Sequence, residues 1–517
     1  MNLTLSARRD GVFLVTAALA VSFFVFLADQ RHDIGFPLDD SWIHQTYARN
    51  LADYGEWSFV RGEPSTASTA PLYSLLLAAG HVLNLAPYFW AHVLGITSLT
   101  LGAVFAARIG EQLFPKIPFI GWATGLSILL TWHLVWAAAS GMETMQFMAL
   151  SLLVIWLAFR ELDERISPQP KHIVFRGAAL GAAGGLLFLT RPEGILLVGL
   201  AGLLALLSFG FNDWQRYFLW ASGVGICWLV VVAPYVAYNY NLTGDLLPST
   251  AAAKIAENAP ARAESILTRY AKMLAPLSAG AQLMGLPGIV AGIWLTIKQA
   301  QEDRKNVMLL LPFIWSIVHV TVYVLRLPAP YQHGRYVMPA LPPLLLYMAG
   351  GLIALVLRYK FSMMGRVLTR TIALGTALAL PGFMWIGGQA YANDVRIINT
   401  EMVETAQWVR DHVPPTDIFA VHDIGALGYF APRSIIDTAG LVTPDIVPLL
   451  LHGEKMMVFL CENHAKWLMV LPDQRLVPPD DPRLTLAYES PYDFADKARG
   501  GAEEPWKMRV YRLNCPP

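Results

Sequence analysis

Charge is scarce in this sequence. Asp, Glu, Lys and Arg make up 15% of its 517 residues, where a soluble domain carries roughly 25%. A chain of this length has room for about three to five soluble domains, but too few polar side chains are present to wet their surfaces. Cysteine is scarcer still. Three residues exclude a disulfide scaffold and the multi-cysteine zinc patterns. Cys227 lies in an apolar run, where packing is its expected role. Cys461 and Cys515 fall near the C-terminus and can pair if that part of the chain is exported. An excess of one charge sign is also missing: 38 Lys and Arg against 38 Asp and Glu leave a net charge of zero. That offers no basic balance for nucleic acid. No fixed-period repeat, low-complexity run or coiled-coil heptad is present.

What the chain does have is apolar surface. Hydrophobic residues reach 55% and the mean hydropathy is +0.44, the composition of an α-helical polytopic membrane protein. The charge is unevenly spread. Residues 1–388 hold 26 basic and 20 acidic residues, and residues 389–517 hold 12 and 18. The expected division is a transmembrane domain over 1–388 and a soluble, acidic domain over 389–517.

Gly11–Ala28 is the first apolar run. Arg8 and Arg9 precede it and no small-residue cleavage site follows, which predicts a retained signal anchor with a cytoplasmic N-terminus. Further runs are Tyr88–Ala107, Pro118–Ala138, Glu143–Ala158, Phe175–Leu189, Ile195–Phe209, Tyr217–Ala237, Leu283–Ile297, Met308–Leu325, Tyr336–Leu357 and Thr369–Ile386. Pro71–Ala86 decides the topology. If it crossed the membrane, the basic loops Arg160–Arg176, Lys298–Lys305 and Arg358–Arg370 would all lie outside. If it rests on the outer interface, all three become cytoplasmic, as positive-inside bias requires. About eleven transmembrane helices plus juxtamembrane helices are therefore expected. Gln30–Thr69, Ser140–Thr144, Thr190–Gly194, Tyr238–Gly280, Arg326–Arg335 and the tail then share the outer side. The tail reads as an α/β domain. An amphipathic helix over Glu401–His412 stops at Pro414-Pro415, and strands are expected at Ile418–His422, Lys466–Leu471 and Trp506–Leu513.

The outer segments carry most of the chemistry-bearing side chains. Asp39-Asp40 follows the first span in FPLDDSWIHQTYARNL. Adjacent carboxylates can bind a divalent cation, supply a general base, or simply cap the helix that follows. Glu143 stands in SGMET, Arg191 and Glu193 in TRPEG, Lys254 in LPSTAAAK, and His333, Arg335 and Tyr336 in YQHGRYVMP. Singly, each charge reads equally well as an interfacial anchor. Together they place carboxylates and fixed cations on one side of the bilayer, the set that phosphate recognition needs.

The ordered set of LDDSWIHQTYARNL, STASTAPLYSLLLA, SGMET, TRPEG, LPSTAAAK, GRYVMPALPPL and HDIGALGYFAPRSIIDTAGLVTPD resembles the GT-C glycosyltransferases. These are integral-membrane enzymes that use polyprenyl-phosphate-linked sugars. Within that class the pattern is similar to bacterial members without an assigned role and to the arabinofuranosyltransferase branch. The resemblance implies a GT-C fold in the bacterial cytoplasmic membrane, with the active site and α/β tail domain extracytoplasmic. It implies a polyprenyl-phosphate-sugar donor, a glycan, lipid or protein acceptor, and direct displacement with inversion. The family's catalytic acid falls on Asp39, with Asp40 beside it. Lys254, Arg335 and Arg191 become donor-phosphate cations, with His333, Glu143 and Tyr336 completing the substrate-binding set. The oligosaccharyltransferase WWDYG signature is absent, and STAP stands where protein mannosyltransferases and aminoarabinose transferases have His-Pro-Pro. No cofactor is implied with certainty; a divalent cation is the one open option. The alternatives are a multispan transporter or flippase, and an O-antigen ligase or polymerase.

Overall fold

The computed structural model describes residues 3–30, 34–162, 169–209, 213–248, 250–492, 494–498 and 505–515. Helices dominate the first three quarters. In chain order they are α1 (Leu3–Asp29), α2 (Asp40–Tyr54), α3 (Pro71–Val82), α4 (Pro87–Leu113), α5 (Ile120–Leu129), α6 (Trp132–Ala139), α7 (Thr144–Phe159), α8 (Pro170–Thr190), α9 (Gly194–Phe209) and α10 (Trp214–Thr243). The next loop folds into α11 (Thr250–Glu257), α12 (Ala259–Arg262) and α13 (Ile266–Ser278). Then come α14 (Ala281–Met284), α15 (Leu286–Glu302), α16 (Leu311–Arg326), α17 (Tyr331–Gly334), α18 (Leu341–Arg358) and α19 (Met363–Ile397). Prolines open α3, α4 and α8, where the missing N–H is unsatisfied in any residue and the fixed φ suits a first turn.

Each of the eleven expected apolar runs contains helix. Among the described residues, seven helices are long and apolar enough to cross a membrane, and an eighth crossing exists if α5 and α6 form one span bent by 55°. The runs at α7 and α9 are shorter, 16 residues each, or about 24 Å at 1.5 Å per residue. The 12 residues of α3 span only about 18 Å, well short of a ~30 Å hydrocarbon core. This helix packs against α2 and α4.

The last apolar helix does not stop at the expected edge of the membrane. Helical backbone runs unbroken over Met363–His412, 50 residues, and passes through a π-helical stretch at Ile398–Val403 before α20 (Glu404–His412). At about 75 Å it is more than twice the bilayer core. No linker marks the boundary drawn at residue 388; the same helix carries the chain into the tail. Pro414-Pro415 follow the helix end, as expected from the clash of proline with a preceding helical residue.

The tail is a five-stranded sheet in the order β2-β1-β3-β5-β4. Its strands are β1 (Phe419–Val421), β2 (Ile435–Asp437), β3 (Trp467–Val470), β4 (Leu484–Glu489) and β5 (Arg509–Leu513). The first three pair in parallel and β5 runs antiparallel to both neighbours. Helix α21 (Ile424–Phe430) connects β1 to β2, and α22 (Gly453–Glu462) lies between β2 and β3. The expected strands at 418–422, 466–471 and 506–513 correspond to β1, β3 and β5. One face of the sheet shares a core with α2, α3 and α20: Trp42, Tyr47, Phe59, Tyr73, Ala406, Phe419, Ile424 and Val510 are all buried there. The other face packs Met456, Met457 and Leu460 of α22. Cys461 and Cys515 are joined as a disulfide that ties the end of α22 to the chain beyond β5. Cys227 is free and partly buried in α10.

Candidate active site

A cavity of about 220 Å³ opens where the helix bundle meets the tail. Asp40, Ile43 and His44 reach it from α2, a spacing of three and four residues that puts them on one helix face. Glu143, Arg191 and Glu193 come from the turns before α7 and after α8, Thr250 and Lys254 from α11, Tyr323 from α16, and Arg335 and Tyr336 from the turn before α18. The tail supplies Ile424, Leu441 and Val442. These follow the carboxyl ends of the parallel strands β1 and β2, the edge at which open α/β sheets usually meet ligands.

The polar groups fall into two sets. In the first, the Arg335 guanidinium pairs with the Asp40 carboxylate and donates to the Tyr336 hydroxyl at 3.0 Å, while Lys254 Nζ donates to the same hydroxyl at 3.3 Å. Burial alone would raise the Asp40 pKa, but Arg335 and Lys254 overcome it and hold Asp40 at about 2. Lys254 is shifted upward: burial opposes its charge, and Tyr336 and Asp40 more than compensate. Asp40 is therefore ionised and Lys254 protonated at neutral pH. In the second set Glu143 accepts from Arg191 Nε at 2.7 Å and faces His44 Nε2 at 3.2 Å, and Arg191 Nη2 donates to Thr144 Oγ1 at 3.2 Å. Tyr323 donates to Glu193.

These contacts leave donors over. Arg335 is 3% exposed, yet its Nε and Nη1 find no hydrogen-bond partner among the described residues. Arg191 Nη1 and Thr250 Oγ1 are likewise buried without a hydrogen-bond partner among the described residues, Arg191 Nη1 lying 3.9 Å from Glu193 Oε1. An unpaired buried donor costs roughly 1–3 kcal/mol, more when charged. A cavity edged by several such donors is built to receive an acceptor, and the cations make that acceptor an anion.

Of the eight expected site residues, Asp40, Lys254, Arg335, Arg191, Glu143 and Tyr336 line this cavity. Asp39 does not. Its two carboxylate oxygens accept from the backbone N–H groups of Gly425 at 2.6 Å and Ala426 at 2.8 Å, in the first turn of α21. Nor does His333, whose Nε2 meets Asp394 Oδ2 at 2.7 Å on α19, between the edges of Trp132 and Trp136. His333 and Gln332 both have left-handed backbone, φ +58° and +56°, so the His333–Asp394 pair pins a strained turn immediately before Arg335.

A divalent cation bridging the two acids does not fit this arrangement, since Asp39 faces N–H donors and Asp40 a guanidinium. No three His, Cys, Asp or Glu side chains converge as metal ligands among the described residues. His44 and Tyr323 are site residues that the sequence did not single out. His44 had a usable signal, lying one helical turn beyond Asp40. Tyr323 sits inside an apolar run and had none.

A family model described as a domain of unknown function (DUF8728) matches residues 384–511, and no curated protein sequence matches the chain. Solved structures do resemble it. ArnT from Cupriavidus metallidurans bound to undecaprenyl phosphate is 16% identical, with a TM-score of 0.62 over 97% of this chain and 98% of that one. The Archaeoglobus fulgidus oligosaccharyltransferase in its apo form is 12% identical, with a TM-score of 0.60 over 89% of this chain and 69% of that one. Arabinofuranosyltransferase AftD from Mycobacteria is 15% identical, with a TM-score of 0.51 over 97% of this chain, which spans 41% of AftD. The fold is that of the GT-C glycosyltransferases: an α-helical membrane domain carrying a small α/β domain at its C-terminus.

Proposed function

We propose that the protein is an inverting glycosyltransferase that moves a sugar from a polyprenyl phosphate to an acceptor on the outer face of a bacterial cytoplasmic membrane. The observation that carries this reading is the set of unmatched, buried cationic donors on Arg335 and Arg191, beside Lys254, at a cavity between membrane helices and a soluble roof. A phosphate whose lipid tail stays among the helices satisfies those donors. The fold shared with ArnT, whose structure holds undecaprenyl phosphate, supports the choice of lipid. The Cys461–Cys515 disulfide supports an extracytoplasmic tail, because disulfides persist in oxidising compartments.

The reaction is a single displacement. Asp40 accepts the proton of the acceptor hydroxyl as that oxygen attacks the anomeric carbon from the face opposite the phosphate. The bond from the anomeric carbon to the phosphate oxygen breaks, and its electron pair stays on the phosphate, where Arg335 and Lys254 stabilise the growing charge. Configuration inverts. Donor binding also tunes the base: phosphate competes for Arg335 and Lys254, the two groups that hold the Asp40 pKa down, so Asp40 becomes more basic once the donor is seated. Glu143 and His44 are placed to contact the sugar, while Arg191 adds its charge to the phosphate side. Deletion of the gene should cause one polyprenyl-phosphate sugar to accumulate, read by mass spectrometry of membrane lipids. An unchanged lipid-linked sugar profile would count against the donor class.

A further inference from the structure

Two adjacent carboxylates open α2, and only one of them reaches the cavity. Successive residues of a helix point about 100° apart, so the rotational setting of α2 about its axis decides which of the two faces the cavity, and even a small rotation would displace Asp40 from it. Helix α21 of the tail lies along α2 and contacts it at both ends. At one end Gly425 and Ala426 donate their N–H groups to Asp39. At the other, Arg49 donates to the carbonyls of Tyr429 at 2.7 Å and Gly428 at 3.3 Å. Between them Trp42 packs against Tyr429 and Phe430, ring centroids 4.8 and 4.6 Å apart. The fit is close. A Cβ on Gly425 would lie 2.0 Å from the Asp39 carbonyl oxygen, and one on Gly428 2.3 Å from the Phe59 ring. Asp39, Trp42 and Arg49 thus face the tail, while Asp40, Ile43 and His44 face the cavity.

We propose that α21 is a register key for α2: by engaging Asp39 and Arg49 it sets the rotation of the helix and commits Asp40 to the cavity. Asp39, Arg49, Gly425 and Gly428 are then positioning residues, and the tail domain is part of the catalytic machinery rather than only a cover. The proposal rests on Asp40 as the base, but its structural half can be read without turnover.

The test uses full-length protein in nanodiscs with three substitutions, Asp39→Asn, Arg49→Ala and Gly425→Ala, and the mild control Arg49→Lys. Hydrogen–deuterium exchange over residues 36–46 should rise in all three while the amides of β1, β3 and β5 keep wild-type protection, showing that the tail remains folded. Affinity for undecaprenyl phosphate should stay within about twofold, because Arg335 and Lys254 sit on other elements, while kcat with the lipid accumulated by the deletion strain falls. A misplacement of about 1 Å can cost ~100-fold, so a loss of ~10–100-fold is expected, with Arg49→Lys recovering part of it. Wild-type exchange at 36–46 in all three variants would overturn the proposal. So would kcat and lipid affinity falling in parallel with the folded fraction, which is what a packing contact alone predicts. Wild-type turnover in Asp40→Asn would instead remove the base assignment, and the exchange result would stand by itself.

Discussion

Asp40→Asn should cut transfer by ~10²–10⁴-fold, the usual cost of a missing general base, while the protein folds and binds undecaprenyl phosphate normally. The substitution is nearly isosteric, so the Arg335 contact survives in weakened form, but an amide cannot take the acceptor's proton. Asp39→Asn should cost less, because Asp39 acts through α21 and not on substrate. Homology of position alone assigns the opposite order, so the two single variants, compared at saturating donor, discriminate sharply. The pH profile adds a second axis. Burial favours the neutral carboxyl, but Arg335 and Lys254 outweigh it and leave Asp40 at about 2 in the free protein. Its charged, proton-accepting form therefore persists as pH falls, and kcat/KM should show no acid limb from Asp40 at pH 5 to 8.

Arg335→Gln should be nearly as damaging, for two separable reasons. The leaving phosphate loses a buried cation whose Nε and Nη1 have no hydrogen-bond partner among the described residues. Removal of one donor to developing charge typically costs ~10²–10³-fold in kcat. The neighbouring base is affected as well: without the guanidinium, burial dominates and the Asp40 pKa rises, so an acid limb should enter the measurable pH range. Arg335→Lys restores charge but not the forked geometry and should recover only part of the activity. Lys254→Met should raise donor KM with a smaller loss in kcat. If Arg335 and Lys254 were merely interfacial anchors, expression or stability would drop while the surviving protein kept wild-type donor kinetics. Normal donor KM and kcat in both Arg335→Gln and Lys254→Met would exclude them from the phosphate site.

The parts of this structure visible in the sequence are those that follow from local pattern. Apolar runs became helices because burial or lipid contact demands it over many consecutive residues. The run expected to rest on the interface holds only the 12-residue α3, too short for a perpendicular span. Strands β1, β3 and β5 were legible as apolar runs, whereas β2 has only two apolar residues before Asp437 and β4 is largely exposed at the sheet edge, so neither leaves a strong signature. The bend between α5 and α6 was not read from the mostly apolar Pro118–Ala138, although Thr131 and His133 flank it. Seven cavity residues, Glu193 among them, could be named from charge, spacing and family resemblance. What could not be read was which acid faces the cavity: the partner that separates Asp39 from Asp40 is a pair of backbone amides 386 and 387 residues away. Backbone donors carry no side-chain identity for a sequence to display. His333 misled for a related reason. Its neighbour Arg335 enters the cavity, but three consecutive left-handed residues, Gln332, His333 and Gly334, turn the imidazole toward Asp394 instead.

The most direct measurement follows the donor itself. Purified full-length protein would be incubated with the polyprenyl-phosphate sugar extracted from the deletion strain, using membranes of that strain as acceptor. Free polyprenyl phosphate would be followed by mass spectrometry and the anomeric configuration of the product by NMR. The wild-type protein should release polyprenyl phosphate stoichiometrically with glycoside formed and invert the anomeric centre, and Asp40→Asn should do neither. Retention of configuration, or no release of polyprenyl phosphate by the wild-type protein, would contradict single-displacement transfer at this cavity.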